Sequence, residues 1–265
     1  MASLRKIVNR LLKNTQYRIE KATSQPTVYD AVQKHKQLLA DPILRTLNFT
    51  VQRGPFVGLR LHPDVAWSAG DTVSKVLGTY EQELHEPLLD AVAKNPDCVV
   101  NIGCADGYYA VGVQRLLPDV PVFAFDIDPM AAFDLSKTQD LNGTYVRFDR
   151  HFDFFDPPPE LEEFESVFFV IDIEGSEREI ISMPSEILIK SSMLIEVHDL
   201  YEPGLTAKLV EFLSRTHDVQ IIPEAGRNPH TFNELQNYGT IDKYIVLCEF
   251  RGSSMNWLYA TPLKR

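Results

Sequence analysis

The stretch Val99-Val-Asn-Ile-Gly-Cys-Ala-Asp-Gly-Tyr-Tyr-Ala110, followed by Val122-Phe-Ala-Phe-Asp-Ile-Asp128, decides the fold of this chain. An apolar run stops at a glycine-containing turn, a segment of helical pattern follows, and a second apolar run ends in carboxylates. This layout is typical of a nucleoside site at the carboxyl edge of a parallel sheet. Gly103 and Gly107 can adopt backbone angles that a side chain disfavours and can let a ligand approach the main chain. Asp126 follows Gly103 at the distance where an acid binds ribose hydroxyls in such folds.

The spacing of the turn indicates which nucleoside it suits. Dinucleotide sites use G-x-G-x-x-G, whereas this turn reads Gly103-Cys-Ala-Asp-Gly107 and has no glycine triplet. A pyrophosphate needs uncluttered backbone N–H groups, and the acidic Asp106 disfavours an anion there. A cationic, phosphate-free nucleoside fits better, and with Ala105 as its small middle residue the turn resembles that of S-adenosylmethionine-dependent methyltransferases.

Length, composition and charge limit the class of protein. A chain of 265 residues with 44% hydrophobic residues can form one large α/β domain, and we expect an N-terminal extension over 1–70 and the main domain over 71–265. No apolar run reaches the roughly 20 residues that cross a bilayer. Cys98, Cys104 and Cys248 lack metal-site spacing and fit packing in a reducing compartment, so a cytoplasmic location is expected. The net charge of −11 disfavours a nucleic-acid partner.

The first 21 residues differ from the rest of the chain in charge. They carry a net charge of +5, and apolar residues recur among them at helical spacing, which predicts a short basic amphipathic helix. Two roles remain open for it: a solvated helix that packs one face on the domain, or a peripheral contact with a membrane or a partner.

Seven predicted strands alternate with helical stretches along most of the chain. The strands are predicted at 98–103, 121–126, 144–149, 167–173, 192–198, 218–223 and 243–250, and the helices at 107–117, 129–140, 175–190 and 204–216. A further helical pattern over Thr72–Lys94 should break or kink at Pro87. This alternation predicts a Rossmann-like α/β sheet that is mostly parallel, with helices on both faces, an antiparallel last strand and a mainly helical N-terminal extension.

Four motifs resemble those of class I methyltransferases, specifically the FkbM-type family. They are Val100-Asn-Ile-Gly-Cys-Ala-Asp-Gly-Tyr-Tyr109, Phe125-Asp-Ile-Asp-Pro129, Ile171-Asp-Ile-Glu-Gly-Ser-Glu177 and Leu194-Ile-Glu-Val-His198. The resemblance covers about residues 75–250. The Asp-x-Glu-Gly and Glu-x-His motifs point to the FkbM-type family in particular, whereas the glycine turn occurs throughout class I methyltransferases. Ile171 stands where the family often has lysine, so no role of that lysine is carried over.

The resemblance implies a set of cofactor contacts. Gly103, Ala105, Asp106 and Gly107 would surround the methionine and ribose portions of S-adenosylmethionine, and Asp126 would bind the ribose hydroxyls. Asp128 is a further candidate, although it can equally serve as a helix N-cap ahead of Pro129. The third strand ends at Asp149 and Arg150, where adenine contacts usually fall. Asp172 is also assigned to the cofactor site.

Polar residues that end two neighbouring strands should converge at one edge of the sheet. Asp172 and Glu174 end the fourth strand, and Glu196 and His198 end the fifth, about 4.8 Å away in a parallel pair. His198 is predicted as a general base for an acceptor hydroxyl, oriented by Glu196 or Glu174. A second possibility is a divalent ion bound by Asp172, Glu196 and His198. A third is that Glu174 and Glu196 only cap helices. We favour the first, in which His198 is a general base without a metal ion.

These observations predict methylation of an oxygen on a small molecule or glycan. Amino-group methyltransferases place an Asp/Asn-Pro-Pro-aromatic turn after the fourth strand, but Asp156-Pro157-Pro158 precedes that strand and lacks the aromatic residue. The Gly226–Phe232 loop can cover the acceptor pocket, which makes Arg227 and His230 candidate acceptor contacts. The alternative is a catalytically silent methyltransferase-fold module that binds a partner. An NAD-dependent oxidoreductase is disfavoured by the missing glycine triplet.

Overall fold

The structure, a computed structural model, describes residues 27–64, 71–253 and 255–263. The chain divides into two compact units, Met1–His35 and Lys36–Arg265. The predicted basic helix within residues 1–21 lies outside the described residues. The first described helix, Val28–Thr46, starts at a reciprocal cap in which Asp30 N–H donates to Thr27 Oγ1 and Thr27 N–H donates to Asp30 Oδ2.

A single seven-stranded sheet forms the centre of the second unit, in the order β3-β2-β1-β4-β5-β7-β6. The strands are β1 Cys98–Ile102, β2 Val122–Phe125, β3 Arg147–Asp149, β4 Val167–Ile171, β5 Ser191–Val197, β6 His217–Pro223 and β7 Asn256–Pro262. The pairs from β3 through β5 are parallel, and β7 runs antiparallel to both β5 and β6. The predicted mostly parallel sheet with an antiparallel last strand is confirmed.

Helices connect most of the strands. The α-helices of the described residues are α1 Val28–Thr46, α2 Thr72–Leu77, α3 His85–Ala93, α4 Tyr108–Leu116, α5 Ala131–Asn142, α6 Ser185–Leu188, α7 Leu205–Leu213 and α8 Thr240–Leu247. Short 3-10 helices occur at Gln82–Leu84, Pro159–Glu162, Glu177–Ser182, Pro229–Thr231 and Asn233–Leu235. Within the described ranges, no helix combines the length and the apolar character that crossing a membrane requires.

The last strand lies at a different place from the one predicted. Residues 243–250 do not form a strand: most of them belong to helix α8, and the strand that closes the sheet is β7. A short apolar run such as Tyr244–Leu247 fits a helix or a strand equally well by periodicity. The alternation in β7 is clearer, because Trp257 and Tyr259 pack in one core layer and Leu258 and Ala260 in the other.

Two helical predictions also differ in where the helix breaks. The helix predicted from Thr72 is interrupted after Leu77 by Gly78 in the left-handed conformation, not at Pro87. Pro87 lies in the first turn of α3, where a proline costs no helical hydrogen bond. The helix predicted over 175–190 is a 3-10 helix, Glu177–Ser182, followed by α6, because Pro184 keeps Met183 extended between them.

The sheet is covered on both faces, as predicted. Alternate residues of the buried strand β4 belong to two different hydrophobic layers: Phe168 and Val170 to one, Phe169 and Ile171 to the other. The first layer also contains side chains of α2–α5 and α8, and the second contains side chains of the 3-10 helix Glu177–Ser182, α6 and α7. The carboxyl ends of the parallel strands are left to form the candidate site.

Candidate functional site

A cavity of about 940 Å³ opens at the carboxyl ends of β1, β2, β4 and β5. Of the predicted cofactor residues, Gly103, Ala105, Asp106, Asp126, Asp128 and Asp172 line it, whereas Gly107 and Asp149 do not. The predicted catalytic residues Glu174, Glu196 and His198 all line it. Arg150 also lines the cavity, but Arg227 and His230 do not. The structure therefore brings most of the predicted site residues together at one edge of the sheet.

The glycine turn is shaped by close contacts with the rest of the fold. At Gly103, φ is +79° and a Cβ atom would lie 1.6 Å from the carbonyl oxygen of Asp172. At Gly107, φ is +81° and a Cβ atom would lie 2.5 Å from a methyl group of Leu135. Gly103 is therefore required both by packing against the backbone and by its conformation, whereas Gly107 is required mainly by its backbone conformation.

Asp126 holds this turn against the end of β2. Its Oδ2 accepts a hydrogen bond from the Ala105 N–H at 2.8 Å, and its Oδ1 accepts one from the Asp128 N–H at 2.8 Å. Each carboxylate oxygen keeps a further lone pair for a hydroxyl group of a ligand. Asp128 Oδ1 accepts a hydrogen bond from the Met130 N–H at 2.7 Å in the turn before α5. Asp128 is not the N-cap considered for it above, because the N-cap of α5 is Met130.

Lys75 brings a buried positive charge to the wall of the cavity. Its Nζ lies 2.7 Å from Asp106 Oδ2, and both side chains are only 7% exposed. The same ammonium group lies over the rings of Tyr80 and Tyr108, 5.1 and 5.3 Å from their centroids. Lys75 was not predicted from the sequence, although a lysine inside the otherwise uncharged helix α2 was a usable signal.

The acidic edge of the site is built by the residues that follow β4 and by the end of β5. Ile171 pairs with Ile195, so Asp172, the first residue after β4, follows the strand beside Glu196, which lies near the end of β5. Strand β4 ends at Ile171, and the chain then turns at Glu174, a non-glycine residue with φ of +53°. This turn points Glu174 back toward His198: His198 Nε2 lies 3.3 Å from Glu174 Oε2, 3.9 Å from Asp172 Oδ1 and 3.8 Å from Glu196 Oε2.

The His198 ring is fixed from its other side by Glu177. His198 Nδ1 lies 2.8 Å from Glu177 Oε1, and both side chains are buried. Glu177 is itself held by the Gly175 N–H, which donates to the same oxygen at 2.9 Å. Burial opposes the charged imidazolium, but hydrogen bonds to Glu174 and Glu177 and the charges of Glu177 and Glu196 outweigh it and raise the pKa of His198 to about 11.

The carboxylates around His198 differ in their ionisation. Burial, followed by the charge of Glu81, raises the pKa of Asp172 to about 7. Burial, followed by the charge of Asp172, raises the pKa of Glu196 to about 9. In contrast, the hydrogen bond to His198 lowers the pKa of the partly exposed Glu174. This edge therefore holds three carboxylates, those of Asp172, Glu174 and Glu196, beside two basic side chains, those of His198 and Arg251.

A buried ion network supports this edge from the opposite wall. Arg251 contacts Glu196, lies 2.6 Å from Glu81 Oε1 and lies 3.3 Å from Glu249 Oε2. Arg227 joins the network through Glu249 at 2.8 Å and Glu83 at 2.6 Å. Arg227 is thus a supporting residue behind the site. Arg251, Glu81 and Glu249 were not predicted from the sequence, because Glu81 lies 170 positions before Arg251 in the chain.

Backbone strain also concentrates at the cavity. Seven non-glycine residues of the described ranges have positive φ, and three of them, Ala105, Glu174 and Phe250, line the cavity. Such conformations cost about 1–3 kcal/mol each and persist where the surrounding structure enforces them, often at binding sites. The strain therefore agrees with a functional role for this edge of the sheet.

Comparisons with known proteins find similarity in fold but none in sequence family. No family model matches the sequence, and no curated protein matches it significantly. Among solved structures, the chain is similar to precorrin-6y C5,15-methyltransferase from Geobacter metallireducens (TM-score 0.45, 13% identity, 76% of this chain and 93% of that chain). It is also similar to a ribosomal protein L11 methylase from Lactobacillus delbrueckii subsp. bulgaricus (TM-score 0.42, 14% identity, 77% and 84%). A third is an rRNA methylase from Streptococcus thermophilus (TM-score 0.42, 13% identity, 69% and 97%).

Proposed function

We propose that this chain is an S-adenosylmethionine-dependent methyltransferase that methylates a hydroxyl group of a small molecule or glycan. The charge of the cavity carries the proposal. Nine acidic residues line it, against the basic residues Lys75, Arg150 and Arg251 and two histidines. Such a wall repels the phosphates of a dinucleotide and attracts a cationic, phosphate-free nucleoside. The resemblance of the sequence motifs to the FkbM-type family agrees with this proposal.

The residues that line the cavity also offer the hydrogen-bond acceptors, the cation and the apolar surface that S-adenosylmethionine needs. Asp126 keeps acceptor capacity for the ribose hydroxyls, and the turn at Gly103–Gly107 borders the same space. Lys75 is the cation suited to the carboxylate of the methionine portion. Ile127 and Phe152 offer apolar surface for the adenine ring near Arg150. When bound, this cofactor supplies an electrophilic methyl carbon.

The protein then has to position an acceptor and remove its proton. In the proposed reaction the acceptor oxygen would take the methyl group that the cofactor supplies, and S-adenosylhomocysteine would leave as the second product. The hydroxyl proton passes to a carboxylate of the edge or to solvent. We assign Glu174, Glu196 and His198 to this acceptor side, and holding two reactants in line can contribute about 7–11 kcal/mol to the barrier reduction.

Oxygen is favoured over nitrogen as the acceptor atom. The segment after β4 is Asp172-Ile-Glu-Gly175, which offers no Pro-Pro-aromatic turn to accept N–H groups from an amine. The net charge of −11 also disfavours binding a nucleic acid through its phosphates.

Replacing Asp126 by alanine should weaken binding of S-adenosylhomocysteine by about 10–100-fold. The substitution removes the carboxylate proposed for the ribose and also releases the Ala105 N–H that holds the turn, and lost hydrogen bonds to a charged group are worth about 1.5–3 kcal/mol each. Isothermal titration calorimetry measures the change. Asp140→Asn, an exposed acid on α5, is the matched control and should bind like the wild type.

The same titration tests the function itself. Folded wild-type protein that binds no S-adenosylhomocysteine at millimolar concentration contradicts the proposal. Cofactor binding without turnover across a panel of hydroxylated small molecules and glycans would instead favour the catalytically silent module.

A further inference from the structure

We propose that Asp172, Glu174 and His198 bind a divalent first-row transition-metal ion at the acceptor side of the cavity. Each residue offers one ligand atom, and these three atoms all lie within 4.8 Å of one another. The proposal that a metal ion binds here depends only on the geometry of these residues. The proposal that the ion activates an acceptor hydroxyl group also depends on the proposed function.

The distances between the candidate ligand atoms suit a single ion. Two atoms that bind one ion at about 2.1 Å lie roughly 3.0–3.4 Å apart in octahedral or tetrahedral geometry. His198 Nε2 and Glu174 Oε2 are 3.3 Å apart, and His198 Nε2 and Asp172 Oδ1 are 3.9 Å apart. The second distance would have to shorten by about 0.5 Å to reach the same range.

His198 is oriented as a metal ligand. Metal-binding histidines almost always donate their second ring N–H to a carboxylate or carbonyl group, which fixes the tautomer. Glu177, wholly buried, occupies this position 2.8 Å from His198 Nδ1. If Nδ1 carries the proton, the lone pair of Nε2 faces Asp172 and Glu174. The buried imidazole is thus held by a group that would not itself touch the ion.

Among the described residues, no lysine or arginine lies within ion-pair distance of Asp172 or Glu174, and their basic neighbour is His198. Asp172 Oδ1 is buried and receives no hydrogen bond from that part of the chain. Arg251 is committed to Glu81, Glu196 and Glu249 and does not reach Asp172 or Glu174 within ion-pair distance. A divalent ion would offset the repulsion between the carboxylates of Asp172 and Glu174.

The donor set indicates the kind of ion. Carboxylate oxygens alone suit Mg²⁺ or Ca²⁺, whereas an imidazole nitrogen favours transition metals such as Zn²⁺ or Fe²⁺. The two carboxylates of this set also suit Mn²⁺, which serves as the probe below. An ion at this place lowers the pKa of a hydroxyl group that approaches it. That role differs from the metal-free general base predicted from the sequence, because the ion and not the imidazole would activate the hydroxyl group.

Electron paramagnetic resonance with Mn²⁺ tests the site on the full chain. The wild type should bind one Mn²⁺ per chain, and Glu174→Gln and Glu177→Gln should each weaken binding by about 10–100-fold, the latter through loss of the histidine orientation. Glu163→Gln, an exposed acid away from the cavity, should leave binding unchanged. Glu174 is partly exposed, so its variant tests the site even if Glu177→Gln fails to fold.

Two outcomes would overturn the metal site: no saturable Mn²⁺ binding by the folded wild type at millimolar concentration, or equal affinity in wild type and Glu174→Gln. A parallel titration with S-adenosylhomocysteine separates the two proposals. Cofactor binding without Mn²⁺ binding rejects only the metal site, and Mn²⁺ binding without cofactor binding rejects only the methyltransferase.

Discussion

Replacing Arg251 by methionine should lower the free energy of unfolding by about 3–5 kcal/mol, because removing one partner of a buried ion pair leaves the other charge uncompensated. The Arg251 side chain is 11% exposed and contacts the carboxylates of Glu81, Glu196 and Glu249. Each of these three glutamate side chains is at most 5% exposed. Urea unfolding followed by circular dichroism measures the loss. Methionine retains much of the apolar stem, so the effect reports mainly on charge.

The matched control is Arg178→Met. Arg178 also pairs with a glutamate, Glu202 at 3.3 Å, but its side chain is 66% exposed. Exposed pairs are worth about 0–1 kcal/mol, so this variant should unfold almost like the wild type. Adding Glu81→Gln to Arg251→Met should recover part of the stability, because it removes one of the buried charges left behind. A loss below about 1 kcal/mol for Arg251→Met would show that the network does not stabilise the fold.

Replacing Gly103 by alanine should cost about 2–5 kcal/mol and prevent cofactor binding. The left-handed conformation costs a non-glycine residue about 1–2 kcal/mol, and forcing an extra methyl group into packed structure costs about 1–3 kcal/mol more. The new Cβ would lie 1.6 Å from the Asp172 carbonyl oxygen, so the turn and the start of the acidic edge must move apart. Thermal unfolding and calorimetry with S-adenosylhomocysteine measure the two effects.

Gly143→Ala separates the cost of the left-handed backbone conformation from the cost of the steric contact with Asp172. Gly143 also has positive φ, +60°, but no atom of the described residues lies within 4 Å of the place that the new methyl group would occupy. This variant should lose only the conformational term of about 1–2 kcal/mol and bind cofactor normally. Equal losses in the two variants would mean that the contact with Asp172 carries no energy.

The parallel part of the fold was predictable because its strands are continuous apolar runs. Strands β1 and β4 are buried along their whole length, so the sequence alternates between such runs and helical patterns. The antiparallel strand was misplaced because an apolar segment of α8 has the composition of a strand. Local sequence could not settle that choice, which depends on how Trp257 and Leu258 pack on opposite faces of the sheet.

The sequence predicted only those residues of the candidate site that lie at the ends of adjacent parallel strands. Asp172, Glu196 and His198 end adjacent strands, so parallel pairing alone brings them together. Glu81 and Arg251 reach the same edge from connections outside the parallel strands, and no spacing rule relates residues 170 positions apart. Glu177 belongs to one of the four sequence motifs, but its contact with His198 depends on the turn at Glu174.

The insertion of β7 between β5 and β6 has a consequence for how the chain acquires its structure. During synthesis β5 and β6 emerge well before residues 256–262, and until then each has an unsatisfied backbone edge facing the other. Exposed strand edges are templates for pairing with other chains. The nascent protein is therefore most vulnerable to misassembly just before its closing strand becomes available, and this non-local pairing should slow its maturation.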